Sequence, residues 1–310
     1  PGEVVPRRNL EILGGEAIAD PAGSSGRRDL AEWLTRRENP LTARVMVNRV
    51  WQWHFGRGLV ATPSDFGTRG EAPSNRELLD WLAVRFMEGG YSLKDLHRLI
   101  LHSRTWRQSA DGHPAALEAD PENRLLARYS RRALDAETLR DVILTVSGLL
   151  DRSPPPPHPF PPVTTWAFTI HQPFQAEYDS DRRSIYLMVQ RNRRHSFLAL
   201  FDAADPNQSI AVRDATITPT QSLFLMNSPL VHRAGVALAD RLLAESSDTD
   251  TRLRTAATLA WGREPDADEL AGMHDFLGRV AAEAPGTSQR DAWGALARVI
   301  LTANPLLFVE

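Results

Sequence analysis

Residues 39–67 read NPLTARVMVNRVWQWHFGRGLVATPSDFG, and this stretch carries the clearest fold signal in the chain. Asn39-Pro40 stops the segment before it, because a residue preceding proline avoids the α region. From about Leu41 to Phe55, Val47, Val50, Trp51 and His54 recur at helical spacing, which predicts a helix. Gly56 and Gly58 end it, since a left-handed cap favours glycine. Ala61 to Pro73 then reads as a loop, punctuated by Pro63, Gly67, Gly70 and Pro73. Against this apolar, tryptophan-rich background stand four polar residues, Asn48, Arg49, Gln52 and His54, with Asp65 in the loop that follows. Asn48 and Gln52 are four apart and share a helical face.

Working outward, the spacing predicts a helix from about Arg27 to Arg37. Ser74 with Glu77 is a capping box opening a helix that carries Leu78, Leu79, Trp81, Leu82 and Phe86. Ser92 with Asp95 opens another, and a further helix runs from after Asp135 to Leu150. Later helices are predicted at about Thr220–Met226, Pro229–Glu245, Thr251–Trp261, Ala267–Glu283 and Gln289–Thr302. Ser184 to Val189 is the best strand candidate, being short and bounded by arginines. The fold class is therefore mainly α, a multi-helix bundle with a minor β element near residues 184–189. Residues 1–26 are rich in Pro, Gly and Ser and read as a linker. Residues 27–310 are expected to form a single mainly helical domain with a proline-rich excursion at about 153–183. Trp51, Trp81, Leu82 and Leu99 are expected to be buried together. Core packing is also the default for Trp53 and Trp106, against a sugar-stacking platform.

Composition narrows the functional classes. The chain has 310 residues, 42% hydrophobic and 24% charged, with a formal net charge of −3. No basic field marks a nucleic-acid partner, and no apolar run approaches the ~18 residues of a spanning helix. The absence of cysteine excludes disulfides, thiolate-bound zinc, iron–sulfur clusters and covalent c-type haem within the chain. Lys94 is the only lysine, so the basic residues are otherwise arginine, as a GC-rich genome would give. The chain begins at Pro1 without a charged-then-apolar leader, and is expected to be a piece of something longer.

The 39–67 stretch continues into Leu78-Leu79-Asp80-Trp81-Leu82-Ala83 and Leu96-His97-Arg98-Leu99-Ile100. Later come Arg131-Arg132, Leu134-Asp135-Ala136-Glu137, Arg183-Ser184-Ile185-Tyr186, Thr218-Pro219-Thr220-Gln221-Ser222-Leu223 and Asn227-Ser228-Pro229. With these motifs the chain resembles a family of surface proteins from planctomycetes and related bacteria. The resemblance implies export to an extracytoplasmic location and membership in a larger polypeptide. There a c-type cytochrome-like domain lies upstream, so haem is expected only on that separate domain. Upstream domains of the same polypeptide are the expected partners. The resemblance supplies no catalytic residues.

The residues themselves leave two classes of function. In the first, the chain is a non-catalytic binding or scaffolding module, and Arg49, Asn48 and Asp65 form a buried network, with Arg49 pairing Asp65. In the second it is an extracytoplasmic enzyme acting on a polysaccharide or other extracellular substrate. His54 and Asp65 are then the acid–base pair and Arg49 the anion holder, with Asn48 and Gln52 binding beside them. His54 and His97 can meet only through tertiary packing. No His-Glu-x-x-His, nucleophile elbow or phosphate loop is present. Arg183, Arg191, Arg193 and Arg194 form the one dense basic patch, suited to an acidic or sulfated glycan or to structural pairing with neighbouring acids. Asp202, Asp205 and Asn207 are oxygen donors of the kind calcium takes, without the glycine and final glutamate of an EF-hand loop. The alternative for them is loop capping.

Overall fold

The computed structural model describes residues 2–3, 5–18, 24–157, 162–165, 177–191 and 193–309. They fall into two compact units, one ending at Ser130 and one spanning Arg131–Val309. The fold is mainly helical, as the periodicity predicts. Of the stretch read as a proline-rich excursion, residues 158–161 and 166–176 lie outside the described residues.

The first unit contains α1 (Arg27–Thr35), α2 (Thr42–Phe55), α3 (Arg76–Glu88), α4 (Leu93–Leu101) and α5 (Pro114–Ala119). Gly56, at φ 80°, closes α2 as expected, and Ser92 caps α4 by accepting from Asp95 N. The start of α3 differs from the expected capping box. Asn75 caps it, its Oδ1 accepting from Leu78 N at 2.9 Å, because Ser74 N is drawn to Leu59 O at 2.8 Å. Within the stretch read as a linker, Arg8 and Ala17 form an antiparallel bridge around a short 3-10 turn at Glu11–Leu13.

The core of this unit joins Val47, Val50, Trp51 and Phe55 of α2 to Leu79, Leu82 and Phe86 of α3 and to Leu96 and Ile100 of α4. An ion pair ties α2 to α3, with Arg44 Nε 2.6 Å from Asp80 Oδ1. That hydrogen bond holds the Asp80 carboxyl below its usual range. Trp51 and Leu82 are buried as expected, but Trp81 and Leu99 are not, being 46% and 39% exposed. The reason is angular. The buried stripe of α3 is Leu79, Leu82, Ala83 and Phe86, at helical spacings of three, four and seven, and Trp81 lies two residues from Leu79, on the opposite side.

The second unit opens on β1 (Arg132–Ala133) and α6 (Ala136–Ser147) and continues through α7 (Ser196–Leu200), α8 (Pro219–Asn227), α9 (Pro229–Glu245) and α10 (Thr249–Trp261). It closes with α11 (Ala267–Glu283), α12 (Gln289–Thr302), α13 (Asn304–Leu307) and β2 (Phe308–Val309). Asp135 caps α6, and Thr218 with Gln221 forms a capping box on α8. The sheet is the antiparallel pair β1–β2, with Arg132 opposite Val309 and Ala133 opposite Phe308. The expected strand at 184–189 does not form. Ser184–Tyr186 is a 3-10 turn, because Asp141 Oδ1 accepts from both Ser184 N and Ser184 Oγ at 2.7 Å. A backbone held by that carboxylate is not free for a ladder. Buried Arg140 reinforces it by donating to the carbonyls of Ser180 and Arg182. The core packs α9 against α12, α10 and α6 through Leu238, Leu242, Leu296, Ile300, Leu253 and Ile143.

The contrast on α3 gives a direct check. Leu82→Ala is expected to cost about 2–5 kcal/mol of stability. Trp81→Ala, one residue away, is expected to cost about 1 kcal/mol or less. Urea denaturation of the two variants compares them.

Candidate functional site

The segment from 48 to 74 is tied together from within and lines a small cavity of about 50 Å³, beside Trp51, Phe55, Arg57, Leu59 and Glu71. Asn48 is 0% exposed. Its Oδ1 accepts from Val60 N at 2.8 Å and its Nδ2 donates to Val60 O at 3.0 Å. The amide thus replaces a β-ladder partner, satisfying both backbone groups of one buried loop residue. The chain can pass this close only because residue 58 is glycine. A Cβ there would stand 2.6 Å from Asn48 Nδ2.

The loop beyond is stitched to itself. Thr62 Oγ1 donates to Asp65 O at 2.8 Å and accepts from Glu71 N at 2.9 Å. Asp65 Oδ1 accepts from Gly67 N at 2.8 Å. The expected Arg49–Asp65 pair does not form, because the Asp65 carboxylate serves its own turn. Arg49 and Gln52 make contacts of their own, so neither is a free group.

His54 meets His97, not Asp65. Nε2 of His54 lies 2.8 Å from Nδ1 of His97, with the rings edge to face at 5.0 Å. One imidazole must donate and the other accept, so the pair shares a single proton between these nitrogens. Trp106 packs edge-on against His54 at 5.1 Å, and Tyr129 packs edge-on against Trp106 at 5.2 Å. The Tyr129 hydroxyl donates to His54 O at 3.3 Å. Both histidines are half-buried. Such a pair can pass a proton along one line, but the carboxylate assigned to it from the sequence is absent from it.

An open apolar concavity of this unit lies at Trp81. A groove of about 340 Å³ is lined by Trp81, Phe86, Leu96, Leu99, Ser92 and Asp95. Arg85 sits over the Trp81 ring, 5.5 Å from its centroid, and braces the indole. Hydrogen bonds from Ser92 and Arg98 hold the Asp95 carboxyl below its usual range, leaving it an ionised acceptor at the rim. Trp53 is also exposed, at 54%, on α2. Its distance from the Val47–Val50–Trp51 stripe could have flagged it, as the period of α3 could have flagged Trp81.

Of the arginines around the 3-10 turn, Arg194 makes a guanidinium hydrogen bond to protein and Arg183 and Arg193 lie near acids. Arg183 Nε lies 4.0 Å from Asp141 Oδ2, and Arg194 donates to Ala203 O at 2.8 Å. Arg193 faces Glu177, and the carbonyl of Arg191 accepts from Asn207 Nδ2 at 2.9 Å. Beside them, burial pushes the His195 imidazole below its usual value against the opposing pull of Glu177. Of the three oxygen donors of the following loop, Asp205 and Asn207 share one turn and Asp202 serves another segment. Asp202, in the left-handed region at φ 60°, accepts from Thr216 N and Oγ1 at 2.7 Å. Asp205 accepts from Asn207 N at 2.8 Å. Among the described residues, no three histidine, aspartate or glutamate side chains converge as a metal would require. Nor is any described helix long and apolar enough to cross a membrane.

Asn48→Ala is expected to destabilise the first unit by roughly 2–4 kcal/mol, because it strands both backbone groups of Val60. Asp65→Asn retains an acceptor oxygen for Gly67 N and is expected to change stability by less than about 1 kcal/mol. Thermal melts of both variants check the contrast.

The comparisons with known proteins are spare. No curated protein and no solved structure matches the chain. One family does, over residues 26–277, under the description PSD1, protein of unknown function (DUF1553). That span includes the Asn48 clasp, the histidine pair and the tryptophan groove, and the chain therefore belongs to the PSD1 (DUF1553) family.

Proposed function

We propose that this chain is a non-catalytic helical binding module of a larger exported, cytochrome-linked surface protein, and that the Trp81 groove holds a saccharide ring of an extracellular glycan. The observation that carries the module reading is that the polar groups of Asn48, Thr62 and Asp65 are used in bonds to the loop's own backbone. The two residues suited to acid–base work do not meet: His54 pairs with His97 and Asp65 is used in its own turn. The resemblance to exported surface proteins supports the setting.

Support for the ligand comes from Trp81. A half-exposed indole braced by Arg85 offers a rigid apolar platform, and a sugar ring has an apolar face of C–H bonds with hydroxyls at its edge. Asp95 and Ser92 stand where those hydroxyls need partners. A pocket of this size is at the lower end for small-molecule sites, which suits one ring rather than a buried oligomer.

One observation favours a second reading. The 2.8 Å His54–His97 contact is a ready proton relay, and an extracytoplasmic enzyme would use it together with Arg49 and a carboxylate brought by its substrate. In that case His97→Gln abolishes turnover.

The module reading is tested with soluble neutral and acidic polysaccharides, using tryptophan fluorescence for binding and reducing-end release for turnover. The expected result is saturable quenching, weakened about tenfold or more in Trp81→Ala, with no reducing ends released. Equal binding by Trp81→Ala overturns the groove assignment. Release of reducing ends that is lost in His97→Gln establishes the enzyme reading.

A further inference from the structure

We propose that the groove between α9 and α12 is a binding site for a small organic carboxylate, with Arg298 as its anion-recognising residue. The groove has a volume of about 510 Å³, within the usual range for small-molecule sites. The two helices run antiparallel, as the cross-pairs Arg290–Asp240 and Arg298–His232 show. They approach closely at Gly235. A Cβ on Gly235 would stand 2.9 Å from Gly294 O and 2.6 Å from Arg298 Cγ. Gly235 therefore lets the aliphatic stem of Arg298 lie flat on α9.

The guanidiniums of Arg233 and Arg298, which line this groove, and of Arg290 beside it are not equivalent. Arg233 is neutralised by Asp181 through two bonds of 2.7 and 2.6 Å. Arg290 is neutralised by Asp240 through two bonds of 2.5 and 2.7 Å. Arg298 has no carboxylate partner among the described residues. It is held by a neutral base instead, with Nη1 2.6 Å from His232 Nδ1. His232 is set for this role because its Nε2 faces Met226 O at 3.0 Å. A carbonyl can only accept, so Nε2 carries the proton and Nδ1 presents its lone pair to Arg298. The guanidinium is thereby oriented while its charge is left uncompensated. That is the condition of a site awaiting an anion.

The surroundings select among anions. The floor is apolar and small, made by Val236, Ala237, Gly294 and Ala295. Asp291 and Asp240 line the other end, about 10 Å along α12 from Arg298 at the helical rise. A polyanion such as a sulfated glycan would meet these carboxylates. A planar monocarboxylate can engage the guanidinium fork and lay an apolar body along the floor. The site lies in the second unit and is independent of the Trp81 groove.

The test uses butyrate as probe, with sulfate and butylammonium for comparison, followed by ¹H–¹⁵N NMR of the Arg298 side chain and the Gly294 and Ala295 amides. Butyrate is expected to give saturable shifts at all three, while butylammonium leaves the Arg298 signal unmoved. Arg298→Gln is expected to weaken butyrate binding about tenfold. Arg298→Lys preserves charge without the fork and guards against misreading a folding defect. It is expected to bind more weakly than the native chain and more tightly than Arg298→Gln. The proposal is overturned if butyrate gives no saturable shift, if Arg298→Gln binds as the native chain does, or if sulfate binds as tightly as butyrate.

Discussion

The first unit is organised around one buried amide. Asn48 lies on the apolar stripe of α2, where a polar side chain is costly unless every group finds a partner. It finds both in Val60, and that reciprocal pair returns the chain from Gly56 to the core so that Leu59 and Val60 are buried with α2 and α3. The glycine at 58 is a consequence of the same clasp, since the loop must pass within contact distance of the amide. Ser74 N then bonds Leu59 O, which passes the constraint to the start of α3. The polar residues that look like chemistry in the sequence are, at this position, the means of closing a loop.

Much of the fold was legible because it rests on local signals. The α2 stripe, the Gly56 cap, the Ser92 and Asp135 caps and the long helices of the second unit all follow from spacing and capping residues within one turn. Three short helices, α5, α7 and α13, carry no sequence signal, because four to six residues span less than two turns and show no repeated stripe. The strand expected at 184–189 failed for a non-local reason. A carboxylate from α6, more than forty residues away, takes the Ser184 amide. The small sheet joins residues near 132 and 308, and two-residue strands offer no alternation to read.

The candidate site was legible in part. Asn48, Arg49, Gln52 and His54 stand out in the sequence as polar residues on an apolar helix, with Asp65 in the loop after it, but the sequence does not give their partners. Asp65 turned to Gly67, a neighbour two residues on, and His54 turned to His97, forty-three residues on. The tryptophans divide by helical phase. Trp51 falls on the stripe of α2, while Trp53 and Trp81 fall off theirs and face outward. A strict phase count would have separated them, whereas hydrophobicity alone groups all of them as core. The arginine-rich stretch shows the opposite bias: a patch in sequence becomes a set of individual contacts in space, with Asp141, Glu177, Ala203 and Asn207 each facing one of its residues.

The central claim is that the segment joining α2 to α3 is locked in place by the Asn48–Val60 clasp. The most direct measurement is native-state hydrogen exchange at the Val60 amide, which donates to the buried Asn48 carbonyl. A locked segment exposes that amide only when the unit unfolds, so Val60 should exchange as slowly as the slowest core amides of α2 and respond to denaturant with the same slope. Exchange of Val60 at the rate of exposed loop amides, insensitive to denaturant, would show local opening beneath Asn48 and contradict the account.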